Sequence, residues 1–215
     1  MSTYSQSSHS WSCDACSATM ATPLFCDSCG ADYPERRGMS AFGILGLDLV
    51  FAIETESIDL LETQLATRLH PDKWLSRGAS LHRKALIAHS AVNEALSAVR
   101  TPFARAETLL TLLPDLSEFS EDGRPPLPTS FLMKQLELQE EIEVGVEPDR
   151  KRELTKTVRE NLKELRAALD SEFDLVEKTT DSTGRSAAFY RIQTTVDRSR
   201  YWRNIQRSLR GQAPS

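Results

Sequence analysis

The sequence has no cysteine after Cys29, no lysine or arginine before Arg36, and no apolar run long enough to cross a membrane. A disulfide framework in a secreted protein would spread its cysteines along the chain, whereas all four lie between residues 13 and 29. An export signal or a mitochondrial transit peptide would place basic residues near the N-terminus. These absences predict a cytoplasmic protein without a membrane partner.

Basic residues are also in deficit over the whole chain. Lysine and arginine number 26 against 31 aspartates and glutamates, which gives a formal net charge of −5. A general nucleic-acid-binding protein would show a basic surplus, so no nucleic-acid partner is expected. The sequence has no glycine-rich phosphate loop and its histidines are scattered, which predicts a protein that is not an enzyme.

The period-two alternation that is typical of strands is missing outside the cysteine segment. Apolar residues recur at helical spacing instead, and Ser57 is expected to cap one of these helices. A longer apolar stripe over 79–100 predicts a second helix, and Thr101 followed by Pro102 is expected to open a third. The sequence therefore predicts a mainly all-α fold.

Shifts in composition along the chain predict its domain organisation. Residues 114–130 hold four prolines and a glycine, which is typical of a linker or a long loop. The predicted parts are a disordered N-terminus at 1–10, a tetracysteine zinc-binding module at 11–35, a helical-hairpin domain at 39–114, a linker at 115–129 and a C-terminal three-helix bundle at 130–211.

Cys13 and Cys16 form one C-x-x-C pair, and Cys26 and Cys29 form a second. Each pair turns tightly enough to aim two sulfurs at one point, so the two pairs supply a tetrahedral site that suits zinc. Iron uses the same four ligands in rubredoxin-like sites and stays open. Because so short a segment has almost no core, metal binding, worth about 10–16 kcal/mol in comparable peptides, is expected to fold it.

His70, Pro71, Asp72 and Lys73 stand at the end of a predicted helix. A residue that precedes proline is pushed away from helical angles, so the helix is expected to stop at His70. The proline fixes the turn that follows and leaves its neighbours at the exposed tip of a helical hairpin. Ordinary turn chemistry is the alternative explanation for Pro-Asp in this place.

A His-Pro-Asp tripeptide between two antiparallel amphipathic helices resembles the J-domain of DnaJ-type co-chaperones. The resemblance implies that His70, Pro71, Asp72 and Lys73 contact a DnaK/HscA-type chaperone and stimulate its ATP hydrolysis. Family members usually carry a basic face on the preceding helix, where this chain offers only Arg68, which is expected to join the contact. So weak a basic face favours a dedicated chaperone partner.

A closer resemblance is to HscB, the family of J-type co-chaperones of iron–sulfur cluster assembly. The stretches that carry it are FGILGL at 42–47, HPDKW at 70–74, NEALSAVRTPFARAETLL at 93–110 and SFLMKQLELQEEIE at 130–143. The resemblance extends from about residue 40 to residue 210. It implies that the C-terminal bundle delivers an IscU-type scaffold protein to the chaperone. An N-terminal tetracysteine module occurs in animal members of the family and is absent from the common bacterial ones.

The predicted helix near 130–144 has more apolar surface than one face requires. At about 100° per residue, Phe131, Leu138 and Ile142 share the stripe that can face the bundle. A second apolar arc is either buried by neighbouring domains or exposed as a docking patch. The resemblance to HscB implies that this arc, its polar rim and an aromatic of the last helix bind the scaffold: Leu132, Met133, Leu136, Glu137, Glu140 and Tyr201. Trp202 is the alternative aromatic.

Two other functions stay open from the sequence. A zinc-ribbon nucleic-acid-binding protein with a helical body is disfavoured, because segment 11–35 holds three aspartates and one glutamate and no base. A thiol-redox regulatory protein would use the C-x-x-C pairs as reactive thiols. The role of the zinc module is equally open between stabilisation, scaffold contact and metal-dependent formation of a homodimer.

Overall fold

The computed structural model describes residues 11–113 and 126–211. Within these ranges the regular structure is helical except for one two-stranded antiparallel sheet, which confirms the prediction of a mainly all-α fold. The segment predicted as disordered, 1–10, lies outside the described residues, as do residues 115–125 of the predicted linker. The chain divides into two compact units after Leu112.

The first unit begins with the small sheet and continues as helices. Its elements are strands β1 (Trp11–Ser12) and β2 (Thr19–Met20), a 3₁₀ helix (Pro34–Gly38), helices α1 (Ala41–Leu45) and α2 (Thr55–Leu69), a second 3₁₀ helix (Pro71–Arg77), and helices α3 (Ala79–Arg100) and α4 (Pro102–Leu112). Helices α1, α2 and α4 all pack against α3. The buried face of α3 is the predicted apolar stripe and includes Ala85, Ala88, Val92, Leu96 and Val99.

The start of α2 differs from the prediction that Ser57 caps it. The helix begins at Thr55, and Glu54 precedes it without a capping side-chain hydrogen bond. Ile53 and Ile58 are both buried, at the two positions of a hydrophobic staple, which fixes where the chain enters the helix. Burial of these two residues therefore decides the start, and Ser57 lies within the first turn.

Arg105 is a charged residue in the core of the first unit, only 3% exposed. Its guanidinium donates hydrogen bonds to three backbone carbonyl oxygens, those of Val99 at 3.0 Å, Phe51 at 2.7 Å and Ile53 at 3.0 Å. The planar fork of donors suits this task, which a single ammonium group could not perform. Arg105 thereby ties α4 to the end of α3 and to the segment that leads into α2.

The second unit is a bundle of three helices, α5 (Thr129–Val144), α6 (Pro148–Lys178) and α7 (Ser182–Leu209). Helix α7 packs against both of the others. One end of the core joins residues from all three helices: Leu138, Leu154, Val158, Trp202, Ile205 and Leu209. Toward the other end of α6, Glu172 accepts a hydrogen bond of 2.7 Å from Arg191, so α6 and α7 run antiparallel.

Replacement of Arg105 by methionine is expected to destabilise the first unit by about 3 kcal/mol or more, because each buried carbonyl left unsatisfied costs about 1–3 kcal/mol. The matched control is Arg100→Met, which removes a surface ion pair with Glu62 and is expected to cost less than about 1 kcal/mol. Urea unfolding followed by circular dichroism measures both. Equal losses in the two variants would contradict this account of Arg105.

Candidate functional site

The four cysteine sulfurs meet at one point, each within 4.8 Å of the others. The Sγ atoms of Cys13 and Cys29 are 3.6 Å apart, and those of Cys16 and Cys26 are 3.7 Å apart. Four sulfurs at about 2.3 Å from a central zinc ion would be separated by roughly 3.8 Å in a tetrahedron. The spacing fits, so these four residues can hold a metal ion.

The two C-x-x-C pairs adopt the same backbone turn, in a first knuckle (residues 12–19) and a second knuckle (residues 25–32). In each, an N–H donates back to the carbonyl of the first cysteine, from Ser17 to Cys13 at 2.8 Å and from Gly30 to Cys26 at 2.9 Å. The donating residues have positive φ angles, +56° for Ser17 and +80° for Gly30. This left-handed residue closes each turn and brings the paired sulfurs together.

Tyr33 is a member of the cysteine site that the sequence analysis missed. Its hydroxyl donates a hydrogen bond of 3.2 Å to the Sγ of Cys13, and it accepts one of 2.8 Å from the backbone N–H of Asp14. The hydrogen bond from Tyr33 is the main cause that lowers the pKa of the Cys13 thiol to about 6. The phenol thus favours the thiolate, which is the form that ligates a metal.

His70 ends α2 as the proline rule requires, with ψ at 121°. The side chains of His70 and Asp72 are 53% and 70% exposed. The turn formed by His70, Pro71 and Asp72, which we call the His-Pro-Asp corner, is therefore not packed into the core. The backbone N–H of Asp72 donates to Nδ1 of His70 at 3.3 Å, and Nζ of Lys73 donates to the carbonyl of Thr67 at 2.6 Å. Local hydrogen bonds therefore fix the turn while its imidazole and carboxylate face solvent.

Arg68, the remaining candidate for the chaperone contact, is engaged by the cysteine module. Its Nε donates to Oδ2 of Asp27 at 2.7 Å, and a second guanidinium nitrogen donates to the carbonyl of Thr19 at 3.0 Å. The Arg68 side chain remains 42% exposed. The sequence analysis had no means to detect this pair, because 41 positions separate the two residues.

The second apolar arc of α5 faces away from the bundle core. Leu132 is 36% exposed, Met133 58% and Leu136 59%, whereas Leu138 is buried in the core. Glu137 and Glu140 are exposed as well. Within the second unit, packing of the three helices therefore leaves these side chains uncovered.

Tyr201 and Trp202 have different surroundings, which separates the two aromatic candidates. Tyr201 is 39% exposed and makes an edge-to-face contact with Phe131 of α5, with ring centroids 5.7 Å apart. Trp202 is 5% exposed and belongs to the bundle core. Tyr201 is therefore the exposed aromatic of the two, and it meets α5 at Phe131, the residue next to Leu132. We call Leu132, Met133, Leu136 and Tyr201 together the α5–α7 patch.

Comparison with known proteins identifies the family. The sequence model of the HSCB C-terminal oligomerisation domain matches residues 127–210. A co-chaperone protein HscB homolog of Chromobacterium violaceum is 32% identical over 131 residues, which are 60% of this chain and 74% of the relative. The chain belongs to the HscB co-chaperone family. The resemblance read from the sequence is thereby confirmed.

Two solved HscB structures share the fold of this HscB-family chain. The crystal structure of human co-chaperone protein HscB aligns with a TM-score of 0.61 and 18% identity, over 93% of this chain and 91% of that one. Chaperone HscB from Vibrio cholerae aligns with a TM-score of 0.51 and 20% identity, over 78% of this chain and 98% of that one.

Across the described residues, none of the helices is both long and apolar enough to span a bilayer.

Substitution of Cys26 by serine is expected to remove most of the bound metal, because three sulfurs cannot complete the tetrahedral site. The control Ser28→Ala alters an exposed side chain within the same turn and should leave the metal content unchanged. Elemental analysis of the purified chains measures the stoichiometry and also distinguishes zinc from iron. A full metal complement in the Cys26→Ser variant would contradict the assignment of the four ligands.

Proposed function

We propose that this HscB-family chain stimulates ATP hydrolysis by a DnaK/HscA-type chaperone and delivers an IscU-type iron–sulfur scaffold protein to it. His70, Pro71, Asp72 and Lys73 make the chaperone contact, joined by the exposed part of Arg68. The α5–α7 patch, with Glu137 and Glu140 as its polar rim, binds the scaffold. The chain itself carries out no catalysis, and the hydrolysed nucleotide belongs to the chaperone.

The observation that carries the chaperone contact is a corner that is both exposed and rigid. His70 and Asp72 present more than half of their side-chain surface to solvent. Proline and the local hydrogen bonds of Asp72 and Lys73 hold the turn before any partner arrives. A partner that binds a preordered turn does not have to supply the free energy of ordering it.

The scaffold contact rests on apolar side chains that the bundle leaves uncovered. Leu132, Met133 and Leu136 are exposed although the same helix buries Leu138. Packing of the three-helix bundle therefore does not bury this second apolar face of α5. An aromatic such as Tyr201 beside aliphatic residues is the composition found at the energetic centre of interfaces. The family model is described as an oligomerisation domain, so a homodimer formed through the same face is the competing occupant.

The metal in the cysteine site is proposed to be a structural zinc. All four ligands come from the chain, which leaves no open position of the kind a catalytic zinc requires. Cys13 and Cys26 are buried, which protects their sulfurs from reagents in solution. The proposed compartment is the cytoplasm.

His70→Gln and Asp72→Ala are each expected to lower stimulated ATP hydrolysis to the basal rate of the chaperone, because either change removes a side-chain group that contacts the chaperone. Melting temperatures should stay within about 2 °C of the unsubstituted chain, since exposed substitutions change stability by about 0.5 kcal/mol or less. The assay uses the DnaK/HscA-type chaperone of the same organism. Glu56→Ala, an exposed acid at the far end of α2, is the control that should retain stimulation, and retained stimulation in both corner variants would refute the proposal.

Leu132→Ala combined with Leu136→Ala is expected to weaken scaffold binding by roughly 30-fold or more, because truncated hot-spot residues cost about 1–2 kcal/mol each. Stability should change little, since both leucines are exposed. The control is Leu175→Ala, a 43% exposed leucine of α6 in the same unit.

Isothermal titration with the IscU-type scaffold measures the affinity of these variants, and light scattering measures their mass. Unchanged affinity in the double variant would place the scaffold elsewhere. Loss of a dimer in that variant, with scaffold affinity kept, would assign the patch to a second copy of the chain.

A further inference from the structure

The second knuckle of the metal site touches the chain on both sides of the His-Pro-Asp corner. Its contacts begin two residues before His70 and continue through the second 3₁₀ helix (Pro71–Arg77), called the 3₁₀ turn below, into α3. In chain order they are Asp27 with Arg68, Phe25 and Gly30 with Trp74, Ser28 with Arg77, Gly30 with Leu81, and Asp32 with Lys84. Each contacting residue of the knuckle lies within three positions of Cys26 or Cys29.

Trp74 is the centre of this contact. It is the second residue after Asp72 and is only 2% exposed. The ring of Phe25 meets the indole edge-to-face, with centroids 4.8 Å apart at 82°. A Cβ atom at Gly30 would stand 2.7 Å from the indole and 2.9 Å from Leu81, so the backbone of the knuckle lies directly on both side chains. Phe25 and Gly30 of the knuckle therefore both contribute to the burial of Trp74.

Charged groups surround this aromatic contact. Arg68 pairs with Asp27 at 2.7 Å, Lys84 pairs with Asp32 at 2.8 Å, and Arg77 donates to the carbonyl of Ser28 at 3.2 Å. Individual pairs of this exposure stabilise by about 1 kcal/mol or less. Their placement on α2, on the 3₁₀ turn and on α3 fixes the orientation of the knuckle on all three elements.

The knuckle leaves the functional side of the corner open. His70 and Asp72 stay exposed while Trp74, a few residues later, is covered by Phe25 and Gly30. A segment that masked the corner would cover the imidazole and the carboxylate. The second knuckle instead contacts Trp74 and leaves both of those side chains exposed.

We propose that the metal-loaded second knuckle positions the His-Pro-Asp corner, so that metal occupancy sets the affinity of the chain for its chaperone. This inference rests on the proposed chaperone contact. Ligation fixes Cys26 and Cys29, which fixes Phe25, Asp27 and Gly30, and these hold Trp74 and the turn Pro71–Arg77 in one conformation. Without the metal, Pro71 and the local hydrogen bonds of Asp72 and Lys73 would still hold the corner itself, but the chaperone would have to order the rest of the turn around Trp74, at a cost in affinity.

The test compares the full chain with zinc and after removal of zinc by a chelator. Metal removal is expected to raise amide hydrogen exchange in residues 71–77 by about tenfold or more, while α3 amides near Val92 and Leu96 stay protected. The chain concentration that gives half-maximal ATPase stimulation should rise by a similar factor. Scaffold binding by the second unit should not change.

Two variants separate positioning from general stability. In Trp74→Leu the knuckle loses the ring it holds, so the chain should exchange fast at 71–77 and stimulate poorly whether or not zinc is present. Leu75→Ala, at a 57% exposed neighbour on the same turn, should keep the full metal effect. The proposal is overturned if metal removal leaves exchange at 71–77 unchanged, if α3 loses protection equally, or if Trp74→Leu responds to zinc as the unsubstituted chain does.

Failure of the proposed chaperone contact and failure of positioning by the metal site give different results in this experiment. A zinc-loaded unsubstituted chain that gives no stimulation at all would refute the chaperone contact, whatever the exchange data show. Stimulation that is strong and equal with and without zinc would keep the chaperone contact and refute positioning by the metal site.

Discussion

Four sulfur atoms lie within 4.8 Å of one another in a segment whose own core cluster is small, with Met20 and Tyr33 as its buried members besides Cys13 and Cys26. Convergence of the two knuckles on one point supplies the order that a larger domain would obtain from apolar burial. The Tyr33 hydroxyl adds a further link within the segment, because it donates a hydrogen bond to the Cys13 sulfur. The same segment presents Phe25 to Trp74 of the second 3₁₀ helix and Asp27 to Arg68 of α2, so the cysteine site and the chain around His70 meet through one set of contacts.

The His-Pro-Asp corner obeys a second constraint, which is local. Proline after His70 ends α2, and a short hairpin turn cannot bury its tip, so the imidazole and the carboxylate face water. Trp74, two residues after Asp72, is buried again. One short stretch thus holds two exposed polar side chains and a buried aromatic one. In the second unit α5 shows the same division, since it buries Leu138 and leaves Leu136 exposed.

Features that depend on local pattern could be predicted from the sequence. The apolar stripe over 79–100 located α3, and the spacing of the cysteines located four residues that can hold a metal ion. Features set by distant residues could not: Arg105 contacts a carbonyl 54 positions away and Arg68 an acid 41 positions away. The wrong cap at Ser57 has the same origin, since burial of Ile53 and Ile58 outweighed the local preference of serine. Exposure of Leu132 and Leu136 stayed undecided because helical periodicity defines an arc without saying what covers it.

The two knuckles share one backbone turn, yet the residue that closes it is Ser17 in the first and Gly30 in the second. The serine carries a Cβ atom, and such an atom at the second position would collide with the indole of Trp74. The absence of one carbon atom at position 30 therefore lets the backbone of the second knuckle lie against Trp74, a contact that the turn of the first knuckle, with serine in this place, could not make.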